Sequence, residues 1–459
     1  MPAENVDTIC AVSTPPGEGG ISIIRISGPR SHGILHTIFK PKKKTRKKTV
    51  HCMLRLGYIV DPATSREIDE VFAVYMAAPA TYTREDMVEI QSHGGFATQK
   101  SIIGLLLRLG TRLAQPGEFT KRAFLNGRID LIQAESVLDI IKSETDEELK
   151  YAVTYLEGTL SRKLHSFRDT LRESLAAIEA SIDFPDEDIE PDLSRYRMLL
   201  QKTHRSIDEL IASYYDGKGV KTGYEVLIAG STNVGKSSFL NAMALKDRAI
   251  VTELPGTTRD LIEETIYVKG IKIRLIDTAG IRVPENIVEE EGMRRVELKA
   301  SEADLILWML DNSRPFSSED KRVFDLISPY NKIVIINKSD LASHLDDNDL
   351  FSLGISSHIS ISAKDGTGLD EVRSLLTSTL THNRRRKPLL VTTIRHRDIL
   401  AKVASNLTTV INGLSDHVEY PEILAFELRE ALHHLGELTG ETCTEEILDE
   451  IFSRFCIGK

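Results

Sequence analysis

Gly230-Ser-Thr-Asn-Val-Gly-Lys-Ser237 follows the pattern G-x-x-x-x-G-K-S, in which a glycine-rich loop wraps the phosphates of a nucleoside triphosphate. The apolar residues 226–229 before it predict a buried strand, and residues 238–242 after it predict the start of a helix. Backbone N–H groups at that helix start would bind the phosphate, while Lys236 neutralises its charge and the Ser237 hydroxyl ligates Mg²⁺. Strand, loop and helix in this order predict a phosphate-binding loop rather than a chance glycine-rich turn.

Three further motifs follow, each at the end of a predicted strand: Asp277-Thr-Ala-Gly280, Asn337-Lys-Ser-Asp340 and Ser362-Ala-Lys364. We expect Asp277 to lie behind the Mg²⁺ ion and the Gly280 N–H to contact the γ-phosphate. The Asp340 carboxylate can accept hydrogen bonds from N1–H and the exocyclic amine of guanine, whereas adenine would leave it unpaired. The Ser-Ala-Lys motif would close over the base. Four motifs in this order predict a GTPase.

The motif Gly256-Thr-Thr-Arg-Asp260 lies between the first two and fits the first switch loop of a GTPase. One of its threonine hydroxyls should complete the Mg²⁺ coordination when the γ-phosphate is present, and we choose Thr258. An ordinary turn with a helix cap is the alternative, but the position between the other motifs favours the switch loop.

Two residue identities bear on how GTP is hydrolysed. Many GTPases place a glutamine after the D-x-x-G glycine to orient the attacking water. This chain has Ile281 there, so another group must orient the water. Asn233 lies inside the phosphate loop, where its amide oxygen could help hold a monovalent cation that supplies the charge of an arginine finger. A side-chain hydrogen bond that stabilises the loop is the alternative for Asn233.

Composition narrows the class of protein. A chain of 459 residues is too long for one core, so we expect about two to four domains. The net charge of −10 argues against bulk electrostatic binding of nucleic acid, so RNA would need a local basic patch. Residues 40–48 are basic, although a solvated loop is an equally good interpretation. The four cysteines are scattered, and no secretory signal or run near the ~20 residues of a membrane span is visible. We therefore expect a cytoplasmic protein without membrane contact.

Hydrophobic patterning divides the chain into four segments. Residues 1–126 mix strand and helix patterns, which predicts an α+β domain. Residues 127–221 and 382–459 show helical spacing of apolar residues. Residues 222–381 alternate strands with helices, which predicts a doubly wound parallel sheet of the Ras-like, phosphate-loop kind. The protein is therefore predicted to be multidomain, with α+β and α/β parts.

Helical segments flank the predicted nucleotide domain on both sides, and Gly217, Gly219 and Gly223 are expected to mark its first boundary. Because the ends of a compact domain usually lie close together, we infer one discontinuous helical domain with the nucleotide domain inserted in it. Two independent helical domains are the alternative. A last helix is expected over residues 445–455, and the terminal Cys456-Ile-Gly-Lys459 would ordinarily be a frayed tail.

These motifs resemble those of one known family over essentially the whole chain. The chain is similar to the bacterial tRNA-modifying GTPases called MnmE or TrmE. The shared motifs are Thr14-Pro-Pro-Gly17, Gln115-Pro-Gly-Glu-Phe119, Arg122-Ala-Phe-Leu-Asn126, Asp183-Phe-Pro185, the GTPase motifs with Gly256-Thr-Thr-Arg-Asp260, and Cys456-Ile-Gly-Lys459. The resemblance implies an N-terminal domain that forms a homodimer and binds a tetrahydrofolate, a helical domain and an inserted GTPase domain.

The same resemblance implies an activity and partners. The family hydrolyses GTP with bound K⁺ when two GTPase domains dimerise. It works with MnmG (GidA), a flavoprotein that carries FAD, in a heterotetramer or larger complex. Together they form a carboxymethylaminomethyl group at C5 of wobble uridine 34 in certain tRNAs, using 5-formyl- or 5,10-methylene-tetrahydrofolate.

Site residues are implied position by position. GTP would contact Asn233, Val234, Gly235, Lys236, Ser237, Ser238, Thr252, Thr257, Thr258, Asp277, Thr278, Ala279, Gly280, Asn337, Lys338, Asp340, Ser362, Ala363 and Lys364. Mg²⁺ would contact Ser237 and Thr258, and K⁺ would contact Asn233, Thr252, Leu254 and Thr257. The folate would contact Arg25, Glu89, Arg128 and Lys459, although some relatives have lysine at the position of Arg128.

Catalytic roles are implied for Lys236, Glu289 and Cys456. Glu289, twelve residues after Asp277, would orient the attacking water, with Glu290 and Glu291 as neighbouring alternatives. The chemical role of Cys456 stays open.

Two classes of function follow from the sequence. The first is a K⁺-activated GTPase enzyme of tRNA wobble-uridine modification. The second is a GTP-controlled ribosome-assembly or RNA-binding switch without modification chemistry. A G-x-x-G RNA-binding module after the GTPase domain would favour the switch, but that part of the chain predicts helices. A ferrous-transport GTPase would need membrane spans that the sequence does not predict.

Overall fold

The computed structural model describes residues 7–43, 51–183, 193–245, 263–277, 297–381, 389–414 and 420–459. The chain divides into two compact units. The first unit comprises residues 1–142, 152–203 and 402–459, and the second comprises residues 143–151 and 204–401.

A seven-stranded sheet forms the N-terminal part of the first unit. Its strands are β1 (Ile9–Val12), β2 (Ser22–Ser27), β3 (Phe39–Pro41), β4 (Arg55–Val60), β5 (Glu67–Met76), β6 (Met87–Ser92) and β7 (Arg112–Leu113). They lie in the order β3-β4-β5-β6-β2-β1-β7, and only the β1–β7 pair is parallel. The helices are α1 (Ser31–Ile38), α2 (Phe96–Arg108) and α3 (Glu118–Leu125). Alternate β2 residues Ile24 and Ile26 are buried with Ile102 and Leu105 of α2, which confirms the predicted α+β pattern.

With residues 184–192 outside the described residues, five helices are described after the N-terminal part. They are α4 (Leu131–Lys142), α5 (Asp146–Leu156), α6 (Thr159–Asp183), α7 (Leu193–Ala212) and α8 (Tyr214–Thr222). In α6, Leu160, Leu164, Phe167 and Leu171 are buried at spacings of three and four residues. This is the apolar stripe that the sequence predicted for a helix with one buried face.

The second unit contains a six-stranded sheet. Its strands are β8 (Tyr224–Ala229), β9 (Glu263–Val268), β10 (Ile271–Asp277), β11 (Leu305–Asp311), β12 (Lys332–Asn337) and β13 (Ile359–Ser360). They lie in the order β13-β12-β11-β8-β10-β9, and β9 alone is antiparallel to its neighbour. The helices of this part whose bounds are described include α9 (Lys236–Leu245), α10 (Ser318–Ile327), α11 (Asp347–Ser352) and α12 (Leu369–Thr381).

Both faces of this sheet are covered. Val226 and Ile228 of β8 lie in one core cluster with Phe239 of α9 and Val372 of α12. Leu227 and Ala229 lie in a second cluster, which includes Ile327 of α10. Since alternate residues of one strand enter opposite cores, the predicted doubly wound sheet is confirmed for this part of the chain.

The last helices are α13 (Ile394–Gly413), α14 (Pro421–Thr439) and α15 (Glu445–Ser453). Helix α14 packs along α6 within the first unit. Helix α15 ends two residues before the predicted limit of 455, where the Phe455 N–H donates to the carbonyl of Phe452. Both phenylalanines then pack with Leu131 of α4. In the part of the chain that the structure describes, no helix has the length and apolarity needed to cross a bilayer.

The predicted boundary of glycines is wrong in part. Gly217 and Gly219 lie within α8, and only Gly223 ends that helix. A Cβ atom on Gly217 would lie 2.0 Å from the carbonyl oxygen of Val391, and one on Gly219 would lie 2.3 Å from the Tyr224 ring. These two glycines therefore allow close packing of a helix rather than a break in it.

Candidate functional site

The phosphate loop joins β8 to α9, as the motif predicts. Strand β8 ends directly before Gly230, and α9 begins at Lys236. Asn233 and Gly235 have φ values of 63° and 97°. A Cβ atom on Gly235 would lie 2.3 Å from the side-chain nitrogen of Asn337. Glycine at 235 thus allows both a left-handed backbone and the close approach of Asn337.

Lys236 is buried at the base of this loop. Its Nζ donates to the carbonyl oxygens of Gly230 and Ser231, each at 2.8 Å. Burial lowers the pKa of Lys236, and the carboxylates of Asp277 and Glu319 oppose that shift. The ammonium group is therefore held where the loop wraps round it.

Ser237 and Asp277 are brought together by the parallel pairing of β8 and β10. The Ser237 hydroxyl donates to Oδ2 of Asp277 at 3.0 Å. Asp277 is fully buried at the end of β10. A hydroxyl oxygen beside a carboxylate is the kind of hard oxygen environment that suits Mg²⁺.

The base-recognition motif lies at the end of β12, beside the phosphate loop. Asn337 Nδ2 donates to the carbonyl of Val234 at 2.8 Å, and Asn337 Oδ1 accepts from the N–H of Ala363 at 3.0 Å. The Ser362 hydroxyl donates to Oδ1 of Asp340 at 2.8 Å, while Asp340 itself is exposed. The structure therefore brings the phosphate loop, the motif at 337–340 and the motif at 362–364 together at one edge of the sheet.

Asp311 is a residue of this site that sequence reasoning missed. It ends β11, and its Oδ2 accepts from Nζ of Lys338 at 2.6 Å. Burial tends to raise the pKa of Asp311, but hydrogen bonds from Lys338 and Ser313 outweigh that effect, so the pKa is lowered. The only available signal was an acidic residue at the end of a buried strand, and that signal does not identify its partner.

Several predicted site residues lie outside the described residues and stay predictions. They are Thr252, Leu254, Thr257, Thr258, Thr278, Ala279, Gly280 and Glu289, together with Ile281 and the motif at 256–260.

A second group of predicted residues lies in the first unit. Arg25 and Glu89 face each other across β2 and β6, and Nε of Arg25 donates to Oε1 of Glu89 at 2.9 Å. Arg25 Nη1 also donates to the carbonyl of Gly458 at 3.2 Å. The guanidinium groups of Arg25 and Arg128 lie 5.5 Å and 4.5 Å from the ring centre of Tyr82. Tyr82, which the sequence did not single out, therefore joins the two predicted arginines.

The terminal tetrapeptide packs against the start of α3 in the same unit. The Phe119 N–H donates to the Lys459 carbonyl at 3.2 Å, and the Gly117 N–H donates to that of Cys456 at 3.4 Å. A Cβ atom on Gly458 would lie 2.4 Å from the carbonyl oxygen of Val12. The tail is held by its backbone, so the interpretation as a frayed end is wrong, while Cys456 is exposed.

Comparison with known proteins decides the family. The chain matches the family model for the N-terminus of the GTP-binding protein TrmE over residues 8–128 and that for the MnmE helical domain over residues 131–456. It is 43% identical over 457 residues to the tRNA modification GTPase MnmE of Geobacter sulfurreducens, with 99% of each chain covered. The chain belongs to the tRNA modification GTPase MnmE family. The MnmE of Geotalea uraniireducens is 44% identical over 457 residues, and that of Natranaerobius thermophilus is 43% identical over 462 residues. Each of these MnmE alignments also covers 99% of both chains, so the resemblance inferred from the motifs is confirmed.

Proposed function

We propose that this protein binds and hydrolyses GTP in the modification of tRNA. The observation that carries the proposal is the double contact of Asn337, because it joins a phosphate loop to a base-recognition loop. Relatives named tRNA modification GTPase over 99% of the chain support the tRNA part. The modification would be a carboxymethylaminomethyl group on C5 of wobble uridine 34, made with an MnmG-type flavoprotein that carries FAD.

Guanine selection rests on Asp340. The Ser362 hydroxyl occupies one oxygen of its carboxylate and orients it, while the exposed side leaves room for a base. A carboxylate pairs with the two adjacent donors of guanine, and a base without them would leave the charge unpaired. Lys338, held by Asp311, and Lys364 would flank the base.

Phosphate binding and hydrolysis rest on α9 and the strand ends beside it. The N–H groups from Val234 to Ser238 and the Lys236 ammonium would bind the β- and γ-phosphates. The Ser237 hydroxyl, beside Asp277, would hold Mg²⁺ together with Thr258, and the ion would neutralise charge on the phosphates.

The residues proposed to bind K⁺ would offer it oxygen ligands from side chains and the backbone. The Asn233 side chain is exposed at the left-handed turn of the phosphate loop, so its amide oxygen is free to face a cation beside the phosphates. Thr252, Leu254 and Thr257 would supply the remaining oxygens. Glu289 would orient the attacking water in place of the glutamine that Ile281 replaces.

The folate site would lie around Tyr82. Two guanidinium groups on one aromatic ring provide positive charge for the carboxylates of a tetrahydrofolate and a flat surface for its ring. Glu89 and the tail residue Lys459 would complete the site. The bound group would be 5-formyl- or 5,10-methylene-tetrahydrofolate, which supplies the one-carbon unit.

The domain limits and the assembly are part of the same proposal. We propose an N-terminal domain over 1–126, a helical domain over 127–221 and 382–459, and a GTPase domain over 222–381. The N-terminal domain would form a homodimer, and the flavoprotein would bind in a heterotetramer or larger complex in the cytoplasm. The tRNA would be the shared substrate.

Mass spectrometry of tRNA nucleosides tests the proposed function. We expect a strain that lacks this gene to have wobble uridine without the carboxymethylaminomethyl group. The wild-type gene and the Lys321→Ala variant, which changes an exposed lysine of α10, should restore it, whereas Lys236→Ala should not. Full modification in the deletion strain would contradict the proposal and favour a GTP-controlled switch without modification chemistry.

A further inference from the structure

Asp320 is a buried carboxylate that none of the nucleotide motifs explains. It lies in the first turn of α10, and its exposed fraction is 2%. Oδ2 accepts from the backbone N–H of Ser317 at 3.0 Å and from its hydroxyl at 2.6 Å. The Asp320 N–H in turn donates to the Ser317 hydroxyl oxygen at 3.2 Å, and with the Ser317 N–H contact this forms a capping box, which is an ordinary way to begin a helix. The contacts with Ser317 use only one of the two carboxylate oxygens.

The other oxygen of Asp320 faces the phosphate loop. Oδ1 accepts from the hydroxyl of Ser231 at 2.5 Å, and Ser231 is itself buried. The neighbouring Glu319 accepts from the backbone N–H of Thr232 at 2.9 Å. Ser231 and Thr232 of the phosphate loop are therefore hydrogen-bonded to Asp320 and Glu319 of α10.

Arg314 completes this cluster. Its Nη2 donates to the Ser231 hydroxyl oxygen and lies 3.4 Å from Oδ1 of Asp320. A buried carboxylate is costly unless it is paired and hydrogen-bonded, and Arg314 provides the pairing. Arg314, Ser231 and Asp320 thus form one chain of donors and acceptors from the β11–α10 connection to the phosphate loop.

Electrostatics alone gives no reason for this arrangement. Two carboxylates beside a loop that binds polyphosphate repel the ligand, because like charges at short range are unfavourable. Their presence is explained if holding the loop in shape matters more than the repulsion. A loop whose N–H groups are already aligned loses less conformational freedom when the phosphates bind.

We propose that Asp320, paired with Arg314, is a positioning residue that holds Ser231 and so keeps the phosphate loop in its phosphate-binding shape. The proposal rests on the proposed binding of guanine nucleotide at this loop. Both carboxylate oxygens of Asp320 are hydrogen-bonded within the protein, so we expect the carboxylate to contact neither the base nor the phosphates. Its loss therefore weakens GDP and GTP binding alike and leaves the hydrolysis rate of the bound GTP nearly unchanged.

Asp320→Asn separates positioning from charge. The Ser317 N–H can only donate, so the amide oxygen of the Asp320→Asn side chain should face it. The amide N–H₂ then faces Ser231 and Arg314. There the variant presents donors where the carboxylate accepted, so the ion pair with Arg314 is lost and Ser231 can only accept from the amide; the charge-assisted link is replaced by a weaker one although the shape is retained. If charge alone mattered, removing it would strengthen the binding of an anionic nucleotide.

The test measures binding of a fluorescent N-methylanthraniloyl GDP to the full chain, together with kcat and KM for GTP. We expect Asp320→Asn and Ser231→Ala each to raise the Kd for GDP and the KM for GTP by about 5–30-fold, with kcat changed by less than about twofold. Because both variants disrupt the same link, the double variant should have a Kd for GDP no higher than that of the weaker-binding single variant. Ser317→Ala removes the cap hydroxyl alone, so it should lower the Tm and leave the Kd within about twofold.

The following three results would overturn the proposal. Unchanged or tighter GDP binding by Asp320→Asn shows that the link does not position the loop. Equal weakening by Ser317→Ala assigns the effect to helix stability, and multiplied effects in the double variant show that the two residues act separately. Ser231→Ala carries the test if Asp320→Asn does not fold. If the wild-type chain itself binds no GDP, the proposed nucleotide function fails instead.

Discussion

The side-chain amide of Asn337 donates to the carbonyl oxygen of Val234 at 2.8 Å and so ties the end of β12 to the phosphate loop. The oxygen of the same amide accepts from the Ala363 N–H at 3.0 Å. Asn337 is buried, and the backbone at Gly235 passes close to it. One side chain therefore sets the relative positions of three loops that would contact the base and the phosphates.

Asn337→Ala should weaken the binding of GTP and GDP together. It removes both hydrogen bonds and leaves a buried carbonyl and a half-buried N–H without this partner, which costs about 1–3 kcal/mol. If the loops lose their binding positions by that amount, Kd rises by roughly 5–150-fold. Titration with fluorescent nucleotide measures the change. Asn331→Ala is the matched control, since Asn331 is exposed just before β12. Equal affinities of wild type and Asn337→Ala would rule out this role.

Asp340→Asn should change which base is bound. The amide nitrogen of asparagine would meet the N–H groups of guanine donor to donor, whereas xanthine offers a carbonyl oxygen in place of the exocyclic amine. We expect GTP affinity to fall by about 10²-fold or more and xanthosine triphosphate to bind better than GTP. Competition between the two nucleotides measures this. Ser362→Ala keeps the carboxylate, so it should weaken binding without reversing the preference; retained GTP preference in Asp340→Asn would contradict the assignment.

The sequence was sufficient for the four central strands of the second unit and for the motif residues near their ends, whereas β9 was not predicted. Buried apolar runs predicted β8, β10, β11 and β12, and parallel pairing then placed Ser237, Asp277 and Asn337 near one another. This works because the carboxyl ends of parallel strands meet at one edge of a sheet. The motifs therefore carried information about three-dimensional position.

Contacts between distant side chains could not be predicted in this way. Asp311 and Asp320 read as ordinary acidic residues at a strand end and a helix start, and their partners Lys338 and Ser231 are remote in sequence. Nothing in the sequence indicated that Tyr82 belongs to a binding site, because aromatic residues are just as common in hydrophobic cores. Periodicity reports which side of an element is buried, and it does not report what lies against it.

Glu289→Ala should lower kcat for GTP while leaving GTP affinity nearly unchanged, because an orienting group acts on the water in the transition state. We expect a loss of about 10²–10⁴-fold in kcat. Steady-state phosphate release in K⁺ buffer measures it, and Na⁺ in place of K⁺ should slow the wild type sharply. Glu290→Ala is the control for register: if that variant alone loses activity, the assignment is one residue out. Equal wild-type rates in the two salts would refute the cation site.

Tyr82→Leu should weaken the binding of 5-formyltetrahydrofolate by removing the ring on which Arg25 and Arg128 lie. A cation on an aromatic ring contributes about 0.5–2 kcal/mol, so we expect roughly 2–30-fold in Kd by calorimetry. Tyr82→Phe keeps the ring and loses only the hydrogen bond between its hydroxyl and Thr120. It should therefore bind nearly as wild type. If Tyr82→Phe is as weak as Tyr82→Leu, the hydroxyl rather than the ring is responsible.

Glu148 and Glu144 should give opposite dependences of stability on pH. Burial raises the pKa of Glu148, whose Oε1 has no hydrogen-bond partner among the residues that the structure describes. Burial also tends to raise the pKa of Glu144, but hydrogen bonds from Lys272 and Tyr267 outweigh that effect, so this pKa is lowered. A raised carboxyl pKa contributes stability that is present at low pH and lost as the pH rises through the folded-state pKa, whereas a lowered one contributes stability that is lost as the pH falls.

Two variants separate these contributions in thermal unfolding. Glutamine does not titrate, so between about pH 4 and about pH 7 the Tm of Glu148→Gln should rise relative to wild type. Over the same range the Tm of Glu144→Gln should fall relative to wild type, because the ion pair with Lys272 forms only in the wild type. Differences that do not vary with pH would show that neither carboxylate titrates on unfolding. Differences of the same sign would show that the two environments do not shift the two pKa values in opposite directions, although Glu144 lies two residues before α5 and Glu148 lies in its first turn.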